Sequence, residues 1–351
     1  MQEQQIKSKY FCGVDVHPHT SYFCVMDAMG DIKIRKNIKN NFNVFKSYLN
    51  PFLPDVAVGC ESTYCYYWLA DGCQQTEIPF YLGHALYMKA ISGNKRKNDK
   101  LDSKTIANLM RTNYYPLAYP YPRKMRATRD LLRRRHRLAR IRAEAYGHIQ
   151  MIFHQYAIAG VTSAMVKNKK DRRQLIVQFK DYDLQNQIIS DLDVIDALDP
   201  LIEGLEKTIL ASAKEHNHKD LALLLTIPGV GNIISLGILY ETHDLKRFPR
   251  VQDYSSYSRV VKCDRRSAGK SVGRKNQKIG NPYLKWSFSQ IIMAAQSSSD
   301  RIGKYYQRLE SKNGMARARA MMAHKFAVAV YFMLKNEQAF DEKRFVGSNK
   351  Y

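Results

Sequence analysis

The chain has 351 residues, 45% of them hydrophobic, which is enough for two or three domains with real cores and disfavours intrinsic disorder. Fifty-six Lys and Arg residues against 32 Asp and Glu residues give a formal net charge of +24, which indicates a polyanionic partner, with nucleic acid as the first candidate. No apolar run approaches about 18 residues and the N-terminus lacks a signal-peptide core, so we expect a cytoplasmic protein without a membrane span.

The first third of the chain has the pattern of an α/β domain with a mixed sheet. Three short runs rich in β-branched and aromatic residues, separated by HPHT and AMGD, predict a three-stranded meander over residues 9–38. The segments VAVGCE and IPFYLG predict two further strands, each followed by a helical pattern. We therefore predict an α/β domain over residues 1–113.

The cysteines of the chain do not have the spacing of a metal site. They include no CxxC pair, and three of them lie in apolar runs that are typical of strands, so we expect reduced and mostly buried thiols. A zinc site built from Cys60, Cys65 and Cys73 is disfavoured because this spacing matches none of the usual ligand pairs. The six cysteines are Cys12, Cys24, Cys60, Cys65, Cys73 and Cys263.

A linker and a strongly basic helix follow the first domain. Prolines at 116, 120 and 122 indicate a linker over residues 114–123. The helical pattern after it contains ten Lys and Arg residues between positions 123 and 142 and one acid, Asp130, so the cations would repel one another without phosphates to bind. A solvated charged face is the alternative. The predicted nucleic-acid contacts of this helix are Arg123, Lys124, Arg126, Arg133, Arg134 and Arg137.

A second long helical segment begins near residue 181 and has apolar residues near heptad spacing. It predicts the return arm of an antiparallel coiled coil, with Pro200 as a local defect. The basic helix and this arm together define a predicted region over residues 124–218. An arm of this length is also a natural surface for assembling a homo-oligomer.

Residues 219–340 predict a last, mainly helical domain, which is followed by a tail at residues 341–351. In LTIPGVG, Gly229 and Gly231 form a tight turn between two apolar helices. Such a helix-hairpin-helix-like element presents backbone N–H groups to a DNA phosphate. A plain turn between two helices is the alternative.

Four acidic residues are candidates for one metal site. Asp99 and Asp102 lie three residues apart at the start of an apolar helix, so their carboxylates would face the same point about 5–6 Å apart. An ordinary N-cap or first-turn role is the simple alternative. Asp15 interrupts an apolar strand and Glu61 ends another, so all four carboxylates can converge on one cleft. Carboxylate oxygens are ligands for Mg²⁺, and one or two such ions assist reactions at phosphodiesters.

The basic segment RRSAGKSVGRKNQKIGN, residues 265–281, is a candidate for a phosphate-binding loop. It combines two serines, Ser267 and Ser271, with small residues and six Lys or Arg side chains. A serine hydroxyl attacks a phosphate only when its proton is removed and the phosphate charge is offset. In the alternative, both serines only bind phosphate or face solvent. The predicted phosphate contacts here are Arg265, Arg266, Lys270, Arg274 and Lys275.

The order Asp, Glu and Asp-x-x-Asp in a strand-meander-helix domain resembles a known family. It is similar to the RuvC-like, ribonuclease-H-type domain of the DEDD insertion-sequence transposases, which include the Piv DNA invertase and the bridge-RNA-guided recombinases. The resemblance covers nearly the whole chain. It is carried by GVDVH, GCEST, KNDKLDSKTIANL, LTIPGVG, LKRFPRVQDYSSYSRVV and RRSAGKSVGRKNQKIGNPYLKW, and the last of these is similar to the family's Ser-Gly-Gly-Lys and Lys-x-Gly-Asn blocks.

The resemblance implies that Ser267 is the nucleophile, because Ser-Ala-Gly-Lys at residues 267–270 matches the family's Ser-Gly-Gly-Lys. The match is incomplete, since Ala268 replaces a glycine and Ser271 offers a second hydroxyl four residues later. The resemblance also implies that the four acids bind Mg²⁺ and act as catalytic residues.

The activity implied by the family is that of a DNA recombinase that cuts and rejoins strands through a covalent phosphoserine. A structured noncoding RNA from the same element would select donor and target DNA by base pairing. Recombination of two duplexes implies a dimer or a tetramer, in a prokaryotic cytoplasm. Two alternatives remain open. A RuvC-type junction nuclease would need the acids but not the serine, and an architectural nucleic-acid-binding protein would need neither site.

Overall fold

The computed structural model describes residues 5–92, 99–159, 162–216, 218–261, 266–267, 270–271 and 279–347. The chain divides into two compact units, Met1–Arg123 and Lys124–Tyr351. The first unit is a mixed α/β domain and the second is mainly helical, which confirms the predicted fold class at this level.

The first unit is built on a six-stranded mixed sheet with the strand order β3-β2-β1-β4-β5-β6. Strands β1, β4 and β5 run parallel to one another, whereas β2, β3 and β6 are antiparallel to their neighbours. The predicted meander and the two strands after it are confirmed. The strands are β1 (Tyr10–Val16), β2 (Thr20–Asp27), β3 (Ile32–Lys39), β4 (Val56–Glu61), β5 (Phe80–Gly83) and β6 (Leu117–Ala118).

Helices cover both faces of this sheet. Alternate side chains of the central strands point to opposite faces, so β1 contributes to two separate cores. Val14 packs with Phe45 and Leu69 from two helices on one face, while Phe11 packs with Met110 from the last helix on the other. The helices of this unit are α1 (Phe42–Leu49), α2 (Tyr67–Gln75), α3 (Ala85–Ser92) and α4 (Asp99–Arg111).

Helix α4 lies unusually close to the sheet because two strand positions are glycines. A Cβ atom on Gly13 would overlap the carbonyl oxygen of Ser103 and the amide nitrogen of Ala107, which are backbone atoms of α4. A Cβ atom on Gly59 would overlap the sulfur atom of Met110. The helix backbone therefore rests directly on β1, in space that any larger residue would fill.

The segment 114–123 is more than the linker that its prolines predict. Leu117 and Ala118 form β6, which pairs antiparallel with Gly83 and Leu82 of β5. Proline is tolerated at such an edge because an edge strand needs only part of its N–H groups for pairing. Just before it, the buried Tyr115 hydroxyl donates a hydrogen bond to the Cys60 carbonyl oxygen at 2.8 Å.

The second unit contains eleven described α-helices, a short 3-10 helix at Leu245–Arg247 and one short hairpin. Within the part of the chain that the structure describes, no helix is both long enough and apolar enough to cross a membrane. The helices are α5 (Arg123–Gln155), α6 (Ser163–Lys167), α7 (Arg172–Ile176), α8 (Tyr182–Lys214), α9 (His218–Leu225), α10 (Asn232–Thr242), α11 (Val251–Tyr257), α12 (Pro282–Ser298), α13 (Asp300–Asn313), α14 (Met315–Asn336) and α15 (Glu342–Gly347). The hairpin is β7 (Arg266–Ser267) and β8 (Lys270–Ser271).

Helices α5 and α8 run antiparallel, as the return-arm pattern predicts. Arg142 contacts Asp199 at 2.5 Å, and seven residues earlier Arg135 contacts Glu206 at 2.7 Å, seven residues later along α8. The α8 helix continues through Pro200 without a break in its assigned range. The knobs-into-holes packing of a true coiled coil stays a prediction.

The two long helices and the C-terminal helices share one hydrophobic core. Leu132 from α5 and Ile209 and Ala213 from α8 pack in the same cluster as the buried residues of α10, α12 and α14. The predicted division at residues 218 and 219 therefore lies inside one compact unit. That the regions 124–218 and 219–340 are separate domains stays a prediction.

The described part of the predicted tail, residues 341–347, contains a helix. Helix α15 packs its Phe345 side chain, which is 5% exposed, against Phe326 of α14 with the ring centroids 4.5 Å apart. The amphipathic pattern of α15 is so short that the sequence alone does not distinguish a packed helix from an exposed chain terminus.

The described cysteines agree with the expectation of buried thiols. All five are unpaired, and Cys65 alone among them is partly exposed. Burial raises the pKa of Cys73 to about 12. Cys263 lies outside the described residues.

The close approach of α4 predicts that Gly13→Ala destabilises the first unit. An added methyl group would force α4 away from β1, and such overpacking costs about 3 kcal/mol. Urea denaturation should show this loss in the free energy of unfolding. Gly147→Ala in α5 is the control, because its Cβ would meet no atom within 4 Å and the change favours the helix. Equal stability of the two variants would contradict the close contact.

Candidate active site

Asp15 and Glu61 lie next to each other at the carboxyl edge of the sheet. In the parallel register of β1 and β4, Val14 pairs with Cys60, and the two acids are the next residue of each strand. The carboxyl ends of parallel strands meet at one edge, where open α/β sheets commonly bind ligands. The structure therefore brings these two predicted residues together.

Both acids lie on the face of the sheet that α4 covers. Side chains alternate along a strand, and Gly13 and Gly59, two residues before Asp15 and Glu61, are the positions that contact α4. Burial raises the pKa of the neighbouring Cys60 thiol well above its ordinary value, and the nearby acidic groups, including both carboxylates, raise it further.

Helix α4 runs antiparallel to β1, so it begins over the same edge. At its C-terminal end, Arg111 donates a hydrogen bond to the Ala28 carbonyl oxygen at 3.2 Å, in the turn beside Tyr10 at the start of β1. Near its N-terminal end, Ser103 lies over Gly13 in the middle of β1. The first turn of α4 therefore projects toward the edge where β1 ends.

The paired aspartates occupy that first turn. The helix begins at Asp99, so Asp102 lies within it and is not its N-cap, and this form of the simple alternative is wrong. A favourable interaction of first-turn acids with the helix dipole remains compatible with the structure. Asp102 is partly exposed, and the side chain of Asp99 lies outside the described residues. The backbone nevertheless delivers the DxxD turn to the edge that carries Asp15 and Glu61.

The acids on this edge have the donor chemistry of a hard-cation site. Carboxylate oxygens from Asp15, Glu61 and Asp102 are the ligands that Mg²⁺ or Mn²⁺ prefers. Asp15, whose side chain is 16% exposed, also has its Oδ2 atom 3.2 Å from His17 Nε2. Among the described side chains, no three His, Cys, Asp or Glu residues form a group that could hold a metal ion. The backbone placement fits a metal site, and convergence of the side chains stays a prediction.

Several cations of the basic helix have acidic partners from distant parts of the chain. Arg133 donates two hydrogen bonds to Glu241, from Nε at 2.6 Å and from Nη2 at 2.8 Å, while Arg135 binds Glu206. The expectation that these cations lack acidic partners is therefore wrong. Their partners come from α10 and α8, which sequence proximity cannot reveal.

The predicted nucleic-acid contacts of α5 now separate into two groups. Arg126 is buried, and Arg133 is held by Glu241, whose hydrogen bonds and charge raise the Arg133 pKa although burial alone would lower it. Arg133 therefore contributes to the packing of the second unit, and Arg126 has little exposed surface for a phosphate to contact. Nucleic-acid binding stays a prediction, and it suits best the exposed members Arg123, Lys124, Arg134 and Arg137.

The two glycines of the α9–α10 turn have different roles. Gly229 has a φ of +72°, and a Cβ there would overlap Ala294 and Ser298 of α12, so this glycine serves helix packing. Gly231 is the N-cap of α10, and a Cβ there would meet no atom within 4 Å. Only Gly231 therefore leaves room for a phosphate near the helix N-terminus, and phosphate binding stays a prediction.

The stretch between α11 and α12, residues 258–281, is called the serine segment. Ser267 in β7 pairs with Lys270 in β8, and Arg266 pairs with Ser271. The backbone thus places a candidate nucleophile directly opposite a lysine. The side chains of these four residues, and all of Arg265, Arg274 and Lys275, lie outside what the structure describes, so their predicted roles are not tested.

Two histidines at the carboxyl edge were not singled out by the sequence patterns. His17 contacts Asp15, although HPHT is typical of a turn. His84 directly follows β5, whose Gly83 pairs with Glu61. Its Nδ1 atom is buried with no hydrogen-bond partner among the described residues, and burial lowers its pKa. The available signal was its position immediately after a strand parallel to β1 and β4.

Two sequence models of transposase families match separate parts of the chain. The DEDD transposase model of the IS110 elements, described as Transposase, matches residues 12–158. The model described as Transposase IS116/IS110/IS902 family matches residues 221–307. The four acids fall within the first match and Ser267 falls within the second.

Two curated proteins are similar to this chain. The mini-circle transposase for IS117 from Streptomyces coelicolor is 29% identical over 164 residues, which cover 45% of this chain and only 38% of that protein. The transposase for insertion sequence element IS1111A from Coxiella burnetii is 20% identical over 354 residues, which cover 96% of this chain and 93% of that protein. The two family matches together span about two thirds of the sequence, and the chain therefore belongs to the IS110/IS116/IS902 family of transposases.

Proposed function

We propose that this chain cuts and rejoins DNA strands as the recombinase of an insertion sequence, with the first unit as a RuvC-like, ribonuclease-H-type catalytic domain. The observation that carries the proposal is the placement of the first turn of α4 over the edge where Asp15 lies next to the end of β1 and Glu61 ends β4. In a protein of net charge +24 whose proposed partner is DNA, binding of a metal ion accounts for a cluster of acids at this edge.

The proposed metal site consists of Asp15, Glu61, Asp99 and Asp102. When bound, one or two Mg²⁺ ions would offset the charge on the reacting phosphate and polarise its oxygens. Asp15 and Glu61 come from central strands, so their backbone positions are rigid. His17 is suited to orient the Asp15 carboxylate through the 3.2 Å contact.

Ser267 is proposed as the nucleophile. Its Oγ atom forms a bond to phosphorus while the bond from phosphorus to a deoxyribose oxygen breaks. The serine proton passes to a basic group, and the departing oxygen takes up a proton. An incoming strand hydroxyl then displaces the serine, so the phosphodiester count is unchanged and no energy-rich cofactor is required. The acids belong to the first unit and the serine belongs to the second.

The proposed partners are donor and target DNA, a structured guide RNA and further copies of the chain. Exposed cations such as Arg134 and Arg137 suit contacts with phosphate backbone, which carry little sequence information. Base pairing by the RNA would then select the sequences. The α5–α8 hairpin is proposed to assemble a dimer or tetramer.

A RuvC-type junction nuclease is the second candidate function. The placement of the acids supports it equally well, because metal-assisted hydrolysis needs the acidic edge alone. It gives no role to the serine segment. An architectural nucleic-acid-binding role would leave the acidic edge unexplained.

The metal site predicts that Asp15→Asn, Glu61→Gln and Asp102→Asn each lower DNA strand cleavage by about 100-fold or more, because each removes a charged ligand. Cleavage should be assayed with purified protein, its RNA and Mg²⁺, alongside circular dichroism to confirm folding. Asp31→Asn is the matched control, because Asp31 is an exposed acid beside the opposite edge of the same sheet. If the Asp102→Asn variant cleaves DNA normally, the DxxD turn is not part of the proposed metal site.

The phosphoserine step predicts that Ser267→Ala keeps RNA and DNA binding but loses the protein–DNA adduct that survives denaturing gels. Ser271→Ala is the matched control and should keep the adduct. The opposite pattern would assign the nucleophile to Ser271. If wild-type protein cleaves DNA with Mg²⁺ but forms no adduct, the junction-nuclease function is correct.

The exposed cations of α5 predict a change in salt dependence. Changing Arg134 and Arg137 together to Gln should reduce the slope of log affinity against log salt by about one unit for each phosphate that these side chains bind in the wild-type protein. Fluorescence anisotropy with labelled DNA and RNA measures this slope. Lys207→Gln, an exposed cation on α8, serves as the control. An unchanged slope in the double variant would mean that this face is merely solvated.

A further inference from the structure

The two ends of the serine segment are held together by direct hydrogen bonds. The Asn281 amide N–H donates to the Tyr257 carbonyl oxygen at 2.6 Å, which joins the start of α12 to the end of α11. Beside it, Arg259 Nε donates to the Ile279 carbonyl oxygen at 3.1 Å. A stretch of more than twenty residues therefore leaves and re-enters the helical core at one point.

A glycine is required where the segment closes. Gly280 has a φ of +95°, and a Cβ there would lie 2.5 Å from the Tyr257 carbonyl oxygen. Both the left-handed backbone and the close approach exclude a larger residue without strain. The closure is thus built into the backbone and does not depend on side chains alone.

Asn281 uses its whole side chain to fix this junction. Its Oδ1 atom accepts hydrogen bonds from the amides of Tyr283 and Leu284 and thereby caps α12. Its Nδ2 atom donates to Glu241 Oε2 at 2.7 Å and to the Tyr257 hydroxyl at 3.3 Å. Asn281 is 4% exposed, so each of these bonds forms away from bulk water.

Glu241 connects this junction to the basic helix. Its side chain is 4% exposed, and a buried carboxylate is costly unless it is paired and hydrogen-bonded. Arg133 supplies a bidentate partner from α5, and Asn281 supplies a further donor. The Arg133 guanidinium also lies 4.7 Å from the centre of the Tyr283 ring, in the first turn of α12.

We propose that Arg133, Glu241 and Asn281 form a positioning cluster that fixes both ends of the serine segment and anchors them to α5. This inference rests on the proposed role of Ser267. None of the three side chains would touch the reacting phosphate. They would hold the segment so that its serine reaches the phosphate in an attacking geometry, where an error of about 1 Å can reduce the rate 100-fold.

Through Arg133, the positioning cluster also connects the serine segment to the helix that carries the proposed phosphate contacts. Arg134 and Arg137, the exposed cations proposed to bind phosphate backbone, lie on the same helix within about one turn of Arg133. Nucleic acid bound along α5 and the serine segment would therefore share one rigid attachment, which keeps their spacing constant through the reaction.

We test the positioning cluster with substitutions that change the charge of a side chain but keep its size. Asn281→Asp keeps the helix-capping oxygen but removes the donor and places a second carboxylate against Glu241. Combining it with Glu241→Gln returns one donor and one carboxylate to the pair. At saturating DNA, the single variant should form the covalent adduct about 100-fold more slowly, and the double variant should recover at least about tenfold. The dissociation constant for DNA should stay within about threefold of wild type in both, because neither Asn281 nor Glu241 is a proposed phosphate contact.

Hydrogen exchange of the same variants gives a readout that does not depend on the chemistry. Backbone amides of β7 and β8 should exchange faster in Asn281→Asp and return toward wild-type rates in the double variant, while amides of α14 keep their protection. Tyr331→Phe is the control for general destabilisation, since it removes buried hydrogen bonds to the Phe248 and Pro249 carbonyl oxygens in the same unit. It should leave exchange in the hairpin and the adduct rate unchanged.

The two readouts separate the possible failures. Unchanged exchange in β7 and β8 of the Asn281→Asp variant would overturn the positioning cluster, as would an equal slowing of the adduct by Tyr331→Phe. If exchange responds as expected but wild-type protein forms no adduct, the proposed phosphoserine function fails while the anchoring of the segment is supported. A reduced rate without recovery in the double variant would show that the Glu241–Asn281 pair is not the determinant.

Discussion

The close contact between α4 and β1 is the constraint on which the candidate site depends. Because Gly13 has no side chain, the helix backbone rests directly on the strand, and its direction is antiparallel to that strand. This geometry brings the DxxD turn to the edge of the sheet where Asp15 lies, next to the end of β1. A bulkier residue at position 13 would lift the helix and displace the turn from the other acids, so a residue without a side chain controls the placement of the candidate metal ligands.

The second unit depends on a different kind of constraint, which is the need to neutralise a buried acid. Glu241 is buried in a helical core, and its partners come from the basic helix and from the start of α12. The cost of leaving this carboxylate unpaired ties three distant stretches of chain to one another. In the first unit, the small size of Gly13 determines where the DxxD turn lies. In the second unit, the need to neutralise Glu241 determines where the ends of the serine segment lie.

The sequence predicts the sheet and its acidic edge well because both follow from local patterns. Alternation and β-branched residues identify the strands, and an acid such as Glu61 at the end of a strand identifies the edge. The pairing of Arg133 with Glu241 could not be predicted, since 108 residues separate them and nothing in the local pattern links them. The edge strand at Leu117 was hidden by its prolines, and α15 by its brevity. The structural role of Gly229 was also hidden, because close packing against α12 is a long-range property.

We propose that the acids at the carboxyl edge of the first sheet form one divalent-metal site. Anomalous diffraction from crystals of the wild-type protein grown with Mn²⁺ tests it most directly, because the ion is located without reference to activity. We expect an anomalous peak about 2.0–2.6 Å from carboxylate oxygens of Asp15, Glu61 and at least one aspartate of the DxxD turn. Bound Mn²⁺ elsewhere with no peak at this edge would contradict it.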